Sequence, residues 1–360
     1  MNIFAQILHV FAMELYNKKS REQLLQELNE ENFKRITFSF YRYVYLENAS
    51  EFRNTIYQEW NKLNCFGRIY VAHEGINAQM SVPETNLEAF LALLNKHSEL
   101  KDMPIKYAVE DDGKSFYKLT IKVRPKIVAD GLDDNAYDVT NVGTHLTPME
   151  FHNLSKDSET LVIDMRNHYE SEVGHFKDAY CPDADTFRDA IEMVTEKFDK
   201  EKDRKVLLYC TGGIRCEKAS AYLKHQGFND VNQLHGGIIA YAHELKQKNM
   251  ESNYLGKNFV FDERLGESIN GQVISKCHQC GSACDTHTNC ANHDCHLLFI
   301  QCEKCAEFYN ACCSNDCKEI LTLPEEQQKQ LRKVRHEKYA QSKIYKSRLR
   351  PNLRKQAAND

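Results

Sequence analysis

Residues 36–46, ITFSFYRYVYL, alternate apolar and polar positions with the two-residue period of a half-buried strand. Residues 50–63 change to a helical period, with Phe52, Ile56 and Trp60 on one side. FGRIYVAHEGINAQMSV follows as two strands broken at Glu74-Gly75, then Thr85 to Lys96 as a second helix and Ile105 to Val109 as another strand. The order βαββαβ predicts a ferredoxin-like domain over residues 35–115, its rival being a larger α/β domain that continues into the neighbouring segment. Tyr117 to Ala129 is strand-like, with Lys118, Lys122, Arg124 and Lys126 at alternate positions. That pattern suits a solvated strand face, and residues 116–146 are read as a connector. Residues 1–34 form an N-terminal extension whose short apolar run suits an amphipathic helix packed on the first domain.

From Thr147 the pattern changes. Thr147-Pro148 with Glu150 has the composition of a helix start. TLVIDMR, KVLLYC and VNQLHGG are short apolar strands, and residues 186–200, 216–226 and 238–248 carry helical patterns between and after them. Short apolar strands alternating with helices predict a parallel sheet covered on both faces, an α/β domain over residues 147–250. Residues 251–323 are cysteine-rich, and residues 324–360 read as a basic helical or disordered tail.

Composition adds charge asymmetry to this outline. The net charge of -5 hides a run from Lys329 to Lys355 with eleven Lys/Arg and a single acid, Glu337. With Tyr339 and Tyr345 interleaved, the run suits an RNA backbone and offers stacking surfaces; a solubilising tail is the plainer alternative. No stretch of eighteen apolar residues is present, which argues against a membrane helix, and the N-terminus lacks the basic start and small-residue cleavage site of a signal peptide. A cytoplasmic protein is expected.

Ten of the fourteen cysteines lie between Cys277 and Cys317, and in a reducing compartment they read as metal ligands. Two Cys-x-x-Cys knuckles stand 21 residues apart, with Cys277, Cys280, Cys302 and Cys305 as the natural tetrad. A second, interleaved tetrad of Cys290, Cys295, Cys313 and Cys317 is expected, with Cys284, Cys312, His278, His287, His293 and His296 as alternatives. One or two structural zinc ions suit a small polar module that lacks the apolar content to fold alone. Iron–sulfur is the rival, since four thiolates serve it too. No nicotinamide or flavin motif is evident.

The sharpest chemistry lies at Cys210, where a strand ends and Thr211-Gly212-Gly213-Ile214-Arg215 turns into a helix. Two glycines let the loop curl so that its N–H groups point inward, and those amides, the helix N-terminus and Arg215 all favour a thiolate. Cys210 is therefore the expected nucleophile, against the plain alternative of a buried structural cysteine. Cys216, at the foot of the helix, is placed to resolve an oxidised Cys210; an inert helix cysteine is the equal alternative. Lys218, one turn in, is a substrate-binding candidate or a surface residue.

With Asp164-Met165-Arg166, Glu170, Gly174-His175 and the Cys-x-x-Gly-x-Arg loop, residues 147–247 resemble a rhodanese domain. That resemblance implies a persulfide-forming cysteine at position 210, with Asp164 and Arg166 as structural and pocket-lining residues rather than chemical ones. Cys181 and Asp178 depart from the usual rhodanese turn. More narrowly, Ala72-His73-Glu74-Gly75-Ile76-Asn77, then Cys-Thr-Gly-Gly-Ile-Arg-Cys-Glu-Lys-Ala-Ser from Cys210, then a cysteine-rich tail, resembles the tRNA uridine hydroxylase family over about residues 35–320. This implies oxygen-dependent conversion of the wobble uridine to 5-hydroxyuridine, with O2 as cosubstrate and the tRNA anticodon loop as partner. Cys210 and its loop, Thr211 to Ile214, would then meet the substrate. Alternatives are a sulfurtransferase or persulfide carrier, and a zinc-dependent RNA-binding protein; a phosphatase fits less well.

Overall fold

A computed structural model describes residues 15–292, 294–295, 297–331 and 351–357. The apolar run of residues 1–14, most of the basic run and both His293 and His296 thus lie outside the described residues. The chain divides into two compact units, residues 1–129 and 130–360.

In the first unit, helix α1 (Arg21–Glu30) starts at Ser20, whose side chain and that of Gln23 close a capping box. Strand β1 (Arg35–Tyr43), α2 (Ala49–Lys62), β2 (Phe66–Ala72), β3 (Gly75–Pro83), α3 (Leu87–Lys96) and β4 (Lys106–Tyr107) follow in the expected βαββαβ order. The sheet order is β4-β1-β3-β2-β5, in which β5 (Leu119–Val123) runs parallel to β2 and pairs Ile121 with Ile69. Residues read as a connector therefore extend the sheet. Leu119 and Ile121 are buried in the same core as Phe38, Phe40, Ile69 and Ala78, beneath Trp60 of α2 and Phe90 of α3.

The second unit carries a parallel sheet of order β6-β10-β9-β7, formed by Thr144–Leu146, Asp230–Leu234, Lys205–Tyr209 and Leu161–Asp164. Helix α4 (Pro148–Leu154) begins at Thr147, where Thr147 and Glu150 form the anticipated capping box. It packs on α8 (Gly237–Lys248), while α6 (Phe187–Lys197) packs on α7 (Ile214–His225). Leu207 and Tyr209 enter one core with Phe151, Ile238 and Tyr241. Val206 and Leu208 point the opposite way and are also fully buried, so β9 is covered on both faces.

Between β7 and α6 lie α5 (His168–Val173) and β8 (Gly174–Phe176). β8 pairs antiparallel with β11 (Tyr254–Asn258), joining the cysteine-rich segment to the α/β layer. Tyr254 is fully buried in the core of that layer, which thus reaches beyond residue 250. The cysteine-rich segment adds β12 (Glu267–Ser268), the hairpin of β13 (His287–Asn289) and β14 (Leu298–Ile300), and helices α9 (Glu303–Tyr309) and α10 (Asn315–Thr322). Its core combines cysteines with Phe259, Leu297, Phe299 and Tyr309, and includes Leu353 of the short C-terminal helix α11 (Leu353–Ala357).

Candidate active site and metal centres

Cys210 follows the last residue of β9, an inner strand of the parallel sheet, at the carboxyl edge where such sheets place their ligands. Gly213 N–H donates to Cys210 Sγ at 3.1 Å. The geometry requires Gly213 to adopt a φ of +98°, in the left-handed region that glycine reaches without penalty. Helix α7 starts at the next residue, so its N-terminus and the loop amides face the sulfur. From behind, Ile238 N–H donates to the Cys210 carbonyl at 3.1 Å and Ile239 N–H to the Thr211 carbonyl at 3.2 Å. That close approach depends on Gly237, with φ +67°, where a Cβ would stand 2.5 Å from the Thr211 oxygen and 2.6 Å from that of Cys210.

Burial raises the cost of a charge on Cys210, but a hydrogen bond from the Cys216 thiol, the positive Arg215 and the amides of Arg215 and Gly213 outweigh it. The thiol is brought down to about 6, and a thiolate prevails at neutral pH. The same contact has the opposite effect on Cys216. Burial and the adjacent Cys210 charge push its thiol well above the ordinary value, so it remains a proton-bearing donor. Both cysteines are fully buried, whereas Thr211, Gly212 and Ile214 form a half-buried outer rim.

Arg215 is held by Glu170, with bonds of 2.6 and 2.8 Å to the two carboxylate oxygens. Glu170 is fully buried and also closes the capping box of α5 on Asn167. Sequence reasoning noted Glu170 without giving it this role. The Asn-x-x-Glu capping pattern was its only local signal.

Three expected substrate-binding residues turn inward instead. Asp164 and Arg166 are fully buried and satisfy one another through bonds of 2.9 and 2.7 Å, with Arg166 also donating to the Gly174 carbonyl at 2.6 Å. They brace the turn between β7 and α5, and neither reaches the surface. Lys218 is no surface residue either. It is only 3% exposed, with its ammonium 3.1 Å from Asp134 and 4.0 Å from Asp130.

The cysteines of the C-terminal segment converge as two tetrads. Cys277, Cys280, Cys302 and Cys305 form one, and Cys290, Cys295, Cys313 and Cys317 the other, with the sulfurs of each within 4.8 Å of one another. Sulfur separations of 3.6 Å for Cys280–Cys302, 3.6 Å for Cys295–Cys313 and 3.7 Å for Cys313–Cys317 are far too long for disulfides. They approach the roughly 3.8 Å edge of a tetrahedron built on metal–sulfur bonds of about 2.3 Å. Thiolate charge is further met by N–H groups, Cys302 N to Cys277 Sγ at 3.4 Å and Asn292 Nδ2 to Cys317 Sγ at 3.4 Å. The donor set thus fits a metal ion in each tetrad.

Among the described residues, the alternative ligands fall outside both groups. His278 pairs with Glu172 at 2.9 Å, His287 is buried against Phe259, and Cys284 Sγ accepts from Thr286 N–H at 3.5 Å. Cys312 is buried, and its carbonyl accepts from Gln279 and Gln301.

Comparison with known families follows the same divisions. Residues 35–127 match the UPF0176 acylphosphatase-like domain, residues 147–244 the rhodanese-like domain and residues 255–318 the Rhodanase C-terminal family. A solved single-domain sulfurtransferase from Saccharomyces cerevisiae, 16% identical, covers 31% of this chain and 98% of its own, with a TM-score of 0.26. A tRNA uridine(34) hydroxylase of Cronobacter sakazakii is 50% identical over 88% of this chain and 91% of its own. That of Leptospira interrogans is 54% identical over 340 residues, covering 94% of this chain and 92% of its own. Similarity this high, sustained through all three matched domains, means that the chain belongs to the tRNA uridine(34) hydroxylase family.

Proposed function

We propose that this protein hydroxylates C5 of uridine 34 in tRNA with molecular oxygen, Cys210 acting as the reactive thiolate. The observation that carries this reading is the identity of 54% to a tRNA uridine(34) hydroxylase across nearly the whole of both chains. The chemistry at Cys210 agrees with it. Uracil C6 is the electron-poor end of a double bond conjugated to the C4 carbonyl. Thiolate addition at C6 therefore moves electron density to C5, the carbon that must meet oxygen. A nucleophile brought down to about 6 is ionised when the base arrives.

Each remaining residue has a role in this scheme. Cys216 supplies a hydrogen bond to the resting thiolate and stands ready to react with an oxidised Cys210. Arg215 contributes positive charge near Cys210 while Glu170 fixes its position. Thr211, Gly212 and Ile214 form the rim that meets the base, with Gly213 behind it bonded to Cys210, and that base leaves the anticodon loop for the site more readily than a paired base leaves a helix.

Zinc is the metal we assign to both tetrads, in a structural role. Four thiolates close the coordination shell and leave no position for a reacting group. The ions would hold the C-terminal segment folded; none of the proposed steps passes through them. With fourteen unpaired cysteines among which the described contacts contain no disulfide, a cytoplasmic location is inferred.

Isotope labelling tests the oxygen source. Purified protein, tRNA and a thiol reductant are incubated under oxygen-18 gas, and the wobble nucleoside is weighed. Heavy oxygen on uridine 34 is expected, and none without oxygen. Modification that carries oxygen only from water would overturn the reading.

A further inference from the structure

The strands of the N-terminal sheet send alternate side chains to opposite faces. Phe38, Phe40, Ile69, Ala78 and Met80 lie on the face packed against α2 and α3. The register places Ser39, Tyr41, Arg68, Tyr70, Asn77 and Gln79 on the other, where Tyr41 and Tyr70 both stand opposite Asn77. β4 and β5 continue that second face at either edge, Lys106 opposite Ser39 and Lys122 opposite Tyr70. One end of the face is closed, because Thr37 Oγ1 bonds Asp111 at 2.8 Å and Ser115 at 2.8 Å, and between the tyrosines Asn77 Nδ2 donates to the Ile127 carbonyl at 3.3 Å. Further along, Arg68, Lys122 and Arg124 are exposed and the two tyrosines half-buried.

Two features of this face are hard to explain by folding alone. Aromatic and cationic side chains meet on it, with Lys106 Nζ 4.3 Å from the Tyr41 ring centre and the Arg124 guanidinium 5.7 Å from that of Tyr70. In addition, the five strands contain no Asp or Glu. A sheet surface needs only polarity to remain in water. Flat rings among cations with no acid on any strand complement a polyanion that carries flat bases.

We propose that this face of the N-terminal sheet binds single-stranded RNA. Tyr41 and Tyr70 are stacking platforms for unpaired bases, and Arg68, Lys106, Lys122 and Arg124 contact phosphates. The identity of the RNA, the anticodon arm of tRNA, rests on the function proposed above; the surface itself rests on the register and the charge. Stacking supplies affinity without reading the identity of every base.

Binding of a fluorescent anticodon stem-loop to full-length protein carrying Cys210→Ser tests this without turnover. Tyr41→Ala with Tyr70→Ala should weaken binding by roughly tenfold or more, while the Tyr→Phe pair retains it. Arg68→Gln with Lys122→Gln should reduce the slope of log affinity against log salt by about 1.4, from some 0.7 per phosphate contact on single strands. The charge pair and the Phe pair keep the test decisive should the alanine pair fail to fold. Unchanged affinity and slope in the charge pair would overturn the surface, as would unchanged affinity in a folded alanine pair, and either result leaves hydroxylation by the wild type standing. Wild-type protein that neither binds nor modifies tRNA would overturn the proposed function as well.

Discussion

Cys210 is a fully buried thiol held as a thiolate, and the groups responsible can be removed one at a time. Its rate of alkylation by iodoacetamide should climb as pH rises through about 6 and level off near neutrality, where an ordinary cysteine is still climbing. Replacing Cys216 by Ala deletes a donor that favours the charged form. The Cys210 thiol must then rise, and the profile should move to higher pH. If the Cys216→Ala profile coincides with that of the wild type, the contact contributes nothing to the thiolate.

Cys216 bears on the electron count as well. Placing one atom of O2 on C5 leaves the other to become water, which takes two electrons and two protons. Two thiols that end as a disulfide supply both. Protein reduced, freed of reductant and given tRNA in air should therefore perform one turnover and yield a Cys210–Cys216 peptide lighter by two hydrogens. Modification with both thiols still free would exclude that source. Glu170→Gln probes the support instead. It leaves Arg215 without its counter-charge in a buried site, and should lower stability by about 3 kcal/mol in denaturant melts.

Local pattern exposes some of these residues and hides others. Cys210 and Arg215 were legible because a strand end, a glycine pair and an arginine fall within six consecutive positions. The partners of Lys218 were not, since Asp134 lies 84 positions away in sequence. Asp164 and Arg166 were expected to be structural and to line the pocket because the rhodanese resemblance implies it. Paired with each other and fully buried, they work as a brace.

Among the elements, the catalytic loop is shaped as much by the helix behind it as by its own glycines. Gly237→Ala would force a Cβ to within 2.5 Å of the Thr211 carbonyl at a left-handed φ, so both the loop and the start of α8 must shift. Gly227→Ala is the matched control. Its φ is +90°, but the nearest atom to its Cβ is Lys202 Cδ at 3.9 Å. We expect roughly 1–2 kcal/mol of destabilisation at Gly227 from backbone strain alone, and a greater loss at Gly237 accompanied by loss of activity. Equal effects at the two positions would show that the approach of α8 does not shape the loop. The periodicity that exposed the βαββαβ core also marked β5 as a strand. It did not reveal that β5 joins the sheet beside β2, because a parallel pairing across a long connection leaves no turn signal in the sequence.

At the scale of the whole molecule, the thiolate tetrads are the expected staples of the second unit. Spacing identified the first, since knuckles at Cys277 and Cys302 are local features. The second was legible only as an interleaved arrangement, and folding is what brings Cys290 and Cys295 to Cys313 and Cys317. Because β11 pairs with β8 next to the helix that bears Glu170, loss of metal should be felt beyond the C-terminal segment. Elemental analysis should find two zinc ions per chain and no iron. Their removal by a chelator should lower the melting temperature and speed the alkylation of Cys210. Metal-free protein with an unchanged melt would refute this coupling.

The most direct test of the central claim weighs the wobble nucleoside of tRNA after incubation in air with wild-type protein and with Cys210→Ser. The account predicts 5-hydroxyuridine at position 34 from the wild type and none from the variant, although the variant still binds tRNA. Hydroxylation that survives in Cys210→Ser would contradict the role assigned to this thiolate. Absence of hydroxylation by folded, metal-loaded wild type supplied with a reductant, together with rapid sulfur transfer from thiosulfate, would contradict the proposed reaction itself.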